Sequence, residues 1–123
     1  MTAMVSVADS WRRQEAMEQA RRRDTNESIE GSMQRTGRCP ANSFFCECCD
    51  PRCDRTVTAT IQEYESIREW PTHFLVAANH ENPEVECVIL ETRRFAVVET
   101  LTGEASKVAL RTDPRSLYVP ELN

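Results

Sequence analysis

Glycine is scarce in this chain of 123 residues: there are three, Gly31, Gly37 and Gly103, each isolated. A loop that cradles phosphate needs glycines where the backbone closes on the ligand, so nucleotide folds built on such loops are excluded. Lysine is scarcer still. Lys107 is the only one, and its helical surroundings carry no sign of Schiff-base chemistry. Two histidines, His73 and His80, leave a Ser-His-Asp arrangement little to draw on. Aromatic residues make up 7% of the chain, which predicts a small core that a staple would help. No apolar run approaches the roughly 20 residues of a spanning helix, and the clean runs, such as Phe74 to Ala78, are strand-sized. Residues 1–10 lack the basic start and apolar stretch of a secretory signal, so the expected location is the cytoplasm.

What the chain does have is cysteine. Of six, four fall within eight residues, in Cys46-Glu47-Cys48-Cys49-Asp50-Pro51-Arg52-Cys53. In a reducing compartment such a cluster binds metal or does redox work more often than it forms disulfides. Cys46-x-Cys48-x4-Cys53 sets three soft ligands on a strand end and a proline turn, which suits a tetrahedral zinc ion, Zn2+. A closed structural site needs a fourth protein ligand. His80 is the best candidate, because it sits in a turn directly after an apolar strand. Cys49 rivals Cys48, and Cys39 could reach in from a linker. The bland alternative is a set of reduced, unliganded thiols with His80 as an ordinary turn residue. Cys87, in an apolar strand, reads as a small core residue, and His73 as a surface histidine.

The fold class expected is α+β: an N-terminal helix followed by a small zinc-stapled domain with an antiparallel sheet and short helices. Residues 1–38 form the helix and linker, and residues 39–123 the domain. The helix runs from Ala8 to about Ile29, and its apolar positions, Trp11, Met17, Ala20 and Ile29, are too sparse for a core-facing stripe. It is expected to project from the domain or to order against a partner, and Gly31 and Ser32 to end it. Phe44 to Cys48 leads into the knuckle as a strand, and Arg55 to Ile61 alternates as a half-buried strand. Thr60-Ile61-Gln62-Glu63 matches a capping box and opens a helix that Trp70-Pro71 terminates. Phe74 to Ala78 reads as an interior strand. Val85 to Leu90 and Arg94 to Glu99 read as a hairpin supplying most of the core. Glu104 to Arg111 closes the chain as a helix with Ala105, Val108 and Ala109 on one side, before a loose tail at Asp113-Pro114-Arg115. Glu65 reads as a solvated carboxylate.

Charge is uneven. Seven arginines oppose six acidic residues up to residue 38, and eight basic oppose fourteen acidic residues after it. The later part therefore does not offer a nucleic-acid groove, and Glu15, Glu18 and Asp24 interrupt the basic run of Arg12, Arg13 and Arg21 to Arg23.

The chain resembles a group of small bacterial proteins of uncharacterised function. The positions that carry the resemblance are Asn26-Glu27, Phe45-Cys46-Glu47-Cys48, Cys53, Glu63-Tyr64-Glu65 with Arg68, Phe74, Val76, His80-Glu81, Glu86, Val97-Val98 and Asp113-Pro114-Arg115, spread over about the last hundred residues. In that group a C-x-C, a later cysteine and a Gly-His-Glu tripeptide occur together. The resemblance implies that Cys46, Cys48, Cys53 and His80 belong to one site, and it implies no activity. Two departures stand out: Cys49 adds a second thiol, and Asn79 stands where glycine is usual, although asparagine also tolerates the left-handed conformation. The function expected is a non-catalytic zinc-binding interaction or regulatory module. Its partner is a protein, or a second copy of the chain, meeting the N-terminal helix. The alternative is a thiol-based redox sensor that releases zinc on oxidation.

Overall fold

The computed structural model describes residues 7–36 and 41–116. Cys39 and residues 37–40 of the expected linker lie outside this range. The first element, α1, spans Val7–Thr36. It does not project. Ala16, Gln19, Ala20, Arg23, Asn26, Glu30 and Met33 are all buried, at the i, i+3, i+4 spacing of one helical face. The face is real but largely polar, which is why its apolar residues alone looked too few. Two alanines admit a close neighbour, and each polar residue is matched to a partner distant in sequence. Arg23 donates to the carbonyls of Pro71 at 2.7 Å and Ala109 at 3.0 Å, and its guanidinium lies 4.9 Å from the Phe74 ring centre. Gln19 Nε2 donates to buried Glu86 at 3.0 Å. The helix also continues through Gly31 and Ser32. A helical glycine costs about 1 kcal/mol against alanine, and burying a methionine such as Met33 two residues later gains about 2 kcal/mol, so the tertiary contact wins.

Two antiparallel sheets follow. Strands β1 (Ala41–Phe45) and β2 (Thr56–Thr60) pair in register with Phe44 opposite Val57. In β2, Val57 and Ala59 are buried while Thr56 and Thr58 are exposed, the alternation read from the sequence. Helix α2 (Ile61–Arg68) begins on the expected capping box: Thr60 Oγ1 accepts from the Glu63 amide at 3.0 Å and Glu63 accepts from the Thr60 amide at 2.8 Å. Tyr64 on α2 stacks on Phe44, ring centres 4.6 Å apart. Strands β3 (His73–Val76), β4 (Glu86–Glu91) and β5 (Ala96–Thr100) form a second sheet in the order β3-β5-β4. Helix α3 (Glu104–Arg111) packs Ala105, Val108 and Ala109 inward. Gly103 precedes it at φ 125°, a backbone conformation that side chains strain to adopt.

Further expectations need correction. The hairpin does not share the core equally: β5 buries Ala96, Val97 and Val98, but β4 is an edge strand with Ile89 and Leu90 exposed beyond a register shift. Cys87 is accordingly exposed, not a core residue. Asp113-Pro114-Arg115 is not a loose tail. Asp113 is buried on Arg68, Pro114–Ser116 is a 3-10 turn, and Arg115 clasps Glu65, which is therefore not simply solvated. Helix α1 shares a core with the elements after it, since Met33 and Ile29 pack with Phe44, Tyr64 and the β5 valines. No helix among the described residues is long and apolar enough to cross a membrane.

Candidate metal centre

The chain leaving β1 changes partners at the knuckle. The Cys46 amide still donates to Arg55 on the β2 side at 3.0 Å, but the next amide, Glu47, donates to Leu75 of β3 at 2.7 Å. One short segment thus ties the two sheets together. Alternation along it sends Cys46 and Cys48 to one side and Glu47 to the other. Glu47 is fully buried, and its carboxylate accepts from the Leu75 amide at 2.9 Å, Asn26 Nδ2 at 2.9 Å and the Tyr64 hydroxyl at 2.7 Å. Asn26 in turn pairs with both backbone groups of Phe45, donating to its carbonyl and accepting from its amide, each at 2.8 Å. Burial raises the Glu47 carboxyl above its usual range against these donors, which favour the ionised form. The residue between the two cysteines is therefore a hub joining α1, α2 and β3.

On the other side the thiols gather. After Cys48 the chain turns at Asp50, whose side chain accepts from the Arg52 amide at 2.9 Å and whose carbonyl accepts from the Cys53 amide at 3.0 Å. That Asx turn brings Cys53 back. His80 arrives from a second turn, closed by its amide donating to Ala77 at 3.0 Å, with Asn79 at φ 67°, the left-handed conformation anticipated for it. His80 Nδ1 lies 3.5 Å from Cys46 Sγ and 3.4 Å from Cys53 Sγ. The four donor atoms of Cys46, Cys48, Cys53 and His80 all lie within 4.8 Å of one another. Sulfurs around a tetrahedral zinc sit about 3.8 Å apart, given a bond near 2.3 Å, so this set can close on one ion with small adjustments. Cys46, Cys48, Cys53 and His80 can hold a metal ion.

Cys49, the rival ligand, faces elsewhere. Its Sγ lies 3.5 Å from Asn82 Nδ2, and burial pushes its thiol up to about 11. Within the cluster the thiols are unequal. A hydrogen bond from Cys46 brings Cys48 down to about 5, against the opposing effect of burial, while the same bond and burial hold the Cys46 thiol above its ordinary value. The Ala77 amide also donates to Cys46 Sγ at 3.2 Å.

Sequence reasoning missed the supports. Arg22 of α1 donates to the Cys46 carbonyl at 3.1 Å and the Asp50 carbonyl at 2.9 Å, so a cation braces the knuckle from the helix side. Its guanidinium charge would offset the net −1 of three thiolates around a divalent ion. Three other arginines of α1 are also engaged: Arg12 with Glu84 at 3.1 Å, Arg13 with Glu104 at 3.6 Å, and Arg21 with Glu18. At the far end of α1 stands an ion network. Arg68, fully buried, pairs with Glu27 at 2.6 Å and with Asp113, and Arg115 joins Glu27, Glu30 and Glu65 at 2.7 to 2.9 Å. Hydropathy and periodicity carried no signal for these groups, although Asn26, Glu27, Glu47, Tyr64, Glu65, Arg68, Asp113 and Arg115 are among the positions on which the expected resemblance was drawn. His73 lies at the start of β3, partly buried, with Nε2 3.4 Å from Glu99. No protein-family model, curated protein or solved structure matches the chain.

Proposed function

We propose that this chain is a non-catalytic, zinc-held interaction module of the cytoplasm. The observation that carries the reading is the convergence of four donor atoms from three turns of chain, Cys46 with Cys48, Cys53 and His80, within 4.8 Å. Three thiolates and an imidazole are a donor set that zinc favours, and they fill a tetrahedron without leaving a position for water. The ion then acts as a clasp. It joins the β1 end, the Asp50 turn and the turn after β3, which otherwise meet through hydrogen bonds such as those from the Glu47 amide to the Leu75 carbonyl and from the Ala77 amide to Cys46 Sγ. The free energy of such sites reaches about 10 kcal/mol, a large share for a core this small. Helix α1 is packed along one face, so a partner would meet its outer side, where Trp11 and Met17 are exposed.

The redox reading would oxidise Cys48 or Cys49; Cys48 is one of the four proposed ligands, held by the ion in the loaded protein, which leaves Cys49 as the free thiol. Burial holds that thiol at about 11 and its sulfur lies against Asn82, which makes it a poor nucleophile at neutral pH. Elemental analysis of the native protein by mass spectrometry tests the proposal. One zinc per chain is expected, together with loss of the cooperative thermal transition on chelation. A transition unchanged after the metal is stripped would overturn it.

A further inference from the structure

Beside the knuckle lies a cleft of about 740 Å³ between the first turns of α1 and the two loops that carry the ligands. Trp11, 61% exposed, forms one wall, and Pro51 and Pro83 stand among the residues opposite. Cys48 and His80 contribute to its lining, so a bound metal would lie behind one wall. No lysine or arginine lines the cleft, whereas Glu15, Glu18, Asp50 and Glu81 do. Arg21 and Arg22 pair with Glu18, and Arg52 lies 3.7 Å from Asp50, but among the described residues Glu15 and Glu81 make no ion pair. The cleft thus combines an indole face, two proline rings and two carboxylates without an ion pair.

We propose that this cleft binds a basic linear segment of a partner protein, with an arginine or lysine side chain set against Trp11 between the carboxylates of Glu15 and Glu81. The proposal rests on the reading above and supplies the partner's chemistry. Tryptophan is the strongest aromatic acceptor of cation–π contacts, and low-dielectric walls with charge of one sign focus attraction on the opposite charge. Metal and partner are linked, because the loops Cys48 to Pro51 and Asn79 to Pro83 form the wall that the ligands hold in place.

The test uses the full, zinc-loaded chain with Trp70→Phe, which leaves Trp11 as the only indole. The probe is a hexa-arginine peptide, acetylated and amidated at its ends. A saturable change in Trp11 emission is expected, weakened about tenfold by Glu15→Gln with Glu81→Gln and unchanged by Glu69→Gln with Glu91→Gln, which removes equal charge outside the cleft. Hexa-glutamate is expected to give no change. The proposal fails if no saturable binding occurs, or if both double variants weaken binding equally, which would mark general attraction to an acidic protein. It also fails if Trp11→Ala abolishes a dimer detected by sedimentation without peptide, which would assign the cleft to a second copy. Zinc content is measured on each sample. Absent binding with one zinc per chain overturns this inference alone, whereas absent zinc overturns the reading beneath it.

Discussion

Helix α1 is anchored at two places by opposite chemistry. Near its middle, Arg22 and Asn26 reach the knuckle, where soft thiols and an imidazole converge. Directly after Asn26, Glu27 and then Glu30 meet Arg68 and Arg115, an ionic lock on α2 and the 3-10 turn at Pro114–Ser116. The knuckle is short-range in sequence except for His80, while the lock spans up to 88 positions between Glu27 and Arg115. The difference teaches where stability comes from in a chain with few aromatics. A metal can contribute a large free energy at one point, while buried ion pairs offset desolvation against attraction and leave a smaller net gain. What the lock adds is a penalty for losing any one member.

The largest effect should come from the metal end. Cys46→Ser with Cys53→Ser is expected to abolish the cooperative thermal transition, followed by circular dichroism, because about 10 kcal/mol of metal binding free energy goes with it. A variant that melts like the parent would reduce the knuckle to decoration. The second effect belongs to the lock. Arg68→Met removes the buried guanidinium that Glu27 and Asp113 share, so urea unfolding should show a loss of about 3 to 5 kcal/mol even with zinc bound. A loss below about 1 kcal/mol would mean that the lock is no firmer than a surface pair.

Between the two anchors stands Glu47. Glu47→Gln turns an amide donor toward a pocket already filled by three donors, and about 2 kcal/mol should be lost in the same assay. Tyr64→Phe, which removes one donor instead, should cost about 1 kcal/mol. If Glu47→Gln proves silent, the hub does not join the anchors.

The smallest effects are pH-dependent and opposite in sign within one network. Hydrogen bonds from Arg115 and then Glu30 hold Glu65 down to about 2, so its contribution is present above its ordinary value near 4.5 and is lost as pH falls from there toward 2. Burial, followed by the bond to Glu65 and its charge, raises Glu30 to about 8 despite Arg115. Its contribution is complete below about 4.5 and is lost as pH rises toward 8. Glu30→Gln should therefore flatten the stability profile between these limits, and Glu65→Gln should flatten it on the acid side, both read from denaturant midpoints across pH. Unchanged slopes would separate these carboxyls from the lock.

Much of the architecture could be read in advance because it depends on local chemistry. The capping box at Thr60, the alternation of Val57 and Ala59, and the inward face of Ala105, Val108 and Ala109 each arise within a few residues. The metal cluster was legible for a related reason: three of its members lie within eight residues, and thiols so close have few other uses in a reducing compartment. The edge position of β4 was not legible, since its apolar run looks the same whether one or both faces are covered.

By itself, then, the sequence determined most of the helices, the strands and the clustering of Cys46, Cys48 and Cys53, because short-range periodicity and spacing specify them. Only the tertiary structure decided that Cys49 turns away, that Cys87 faces outward, and that α1 belongs to the core. The physical reason is common to the last and to the ionic lock. Hydropathy counts Gln19, Arg23, Asn26 and Glu30 as solvent-facing, and their burial becomes favourable only once carbonyls, carboxylates and guanidinium groups from far along the chain arrive to satisfy them.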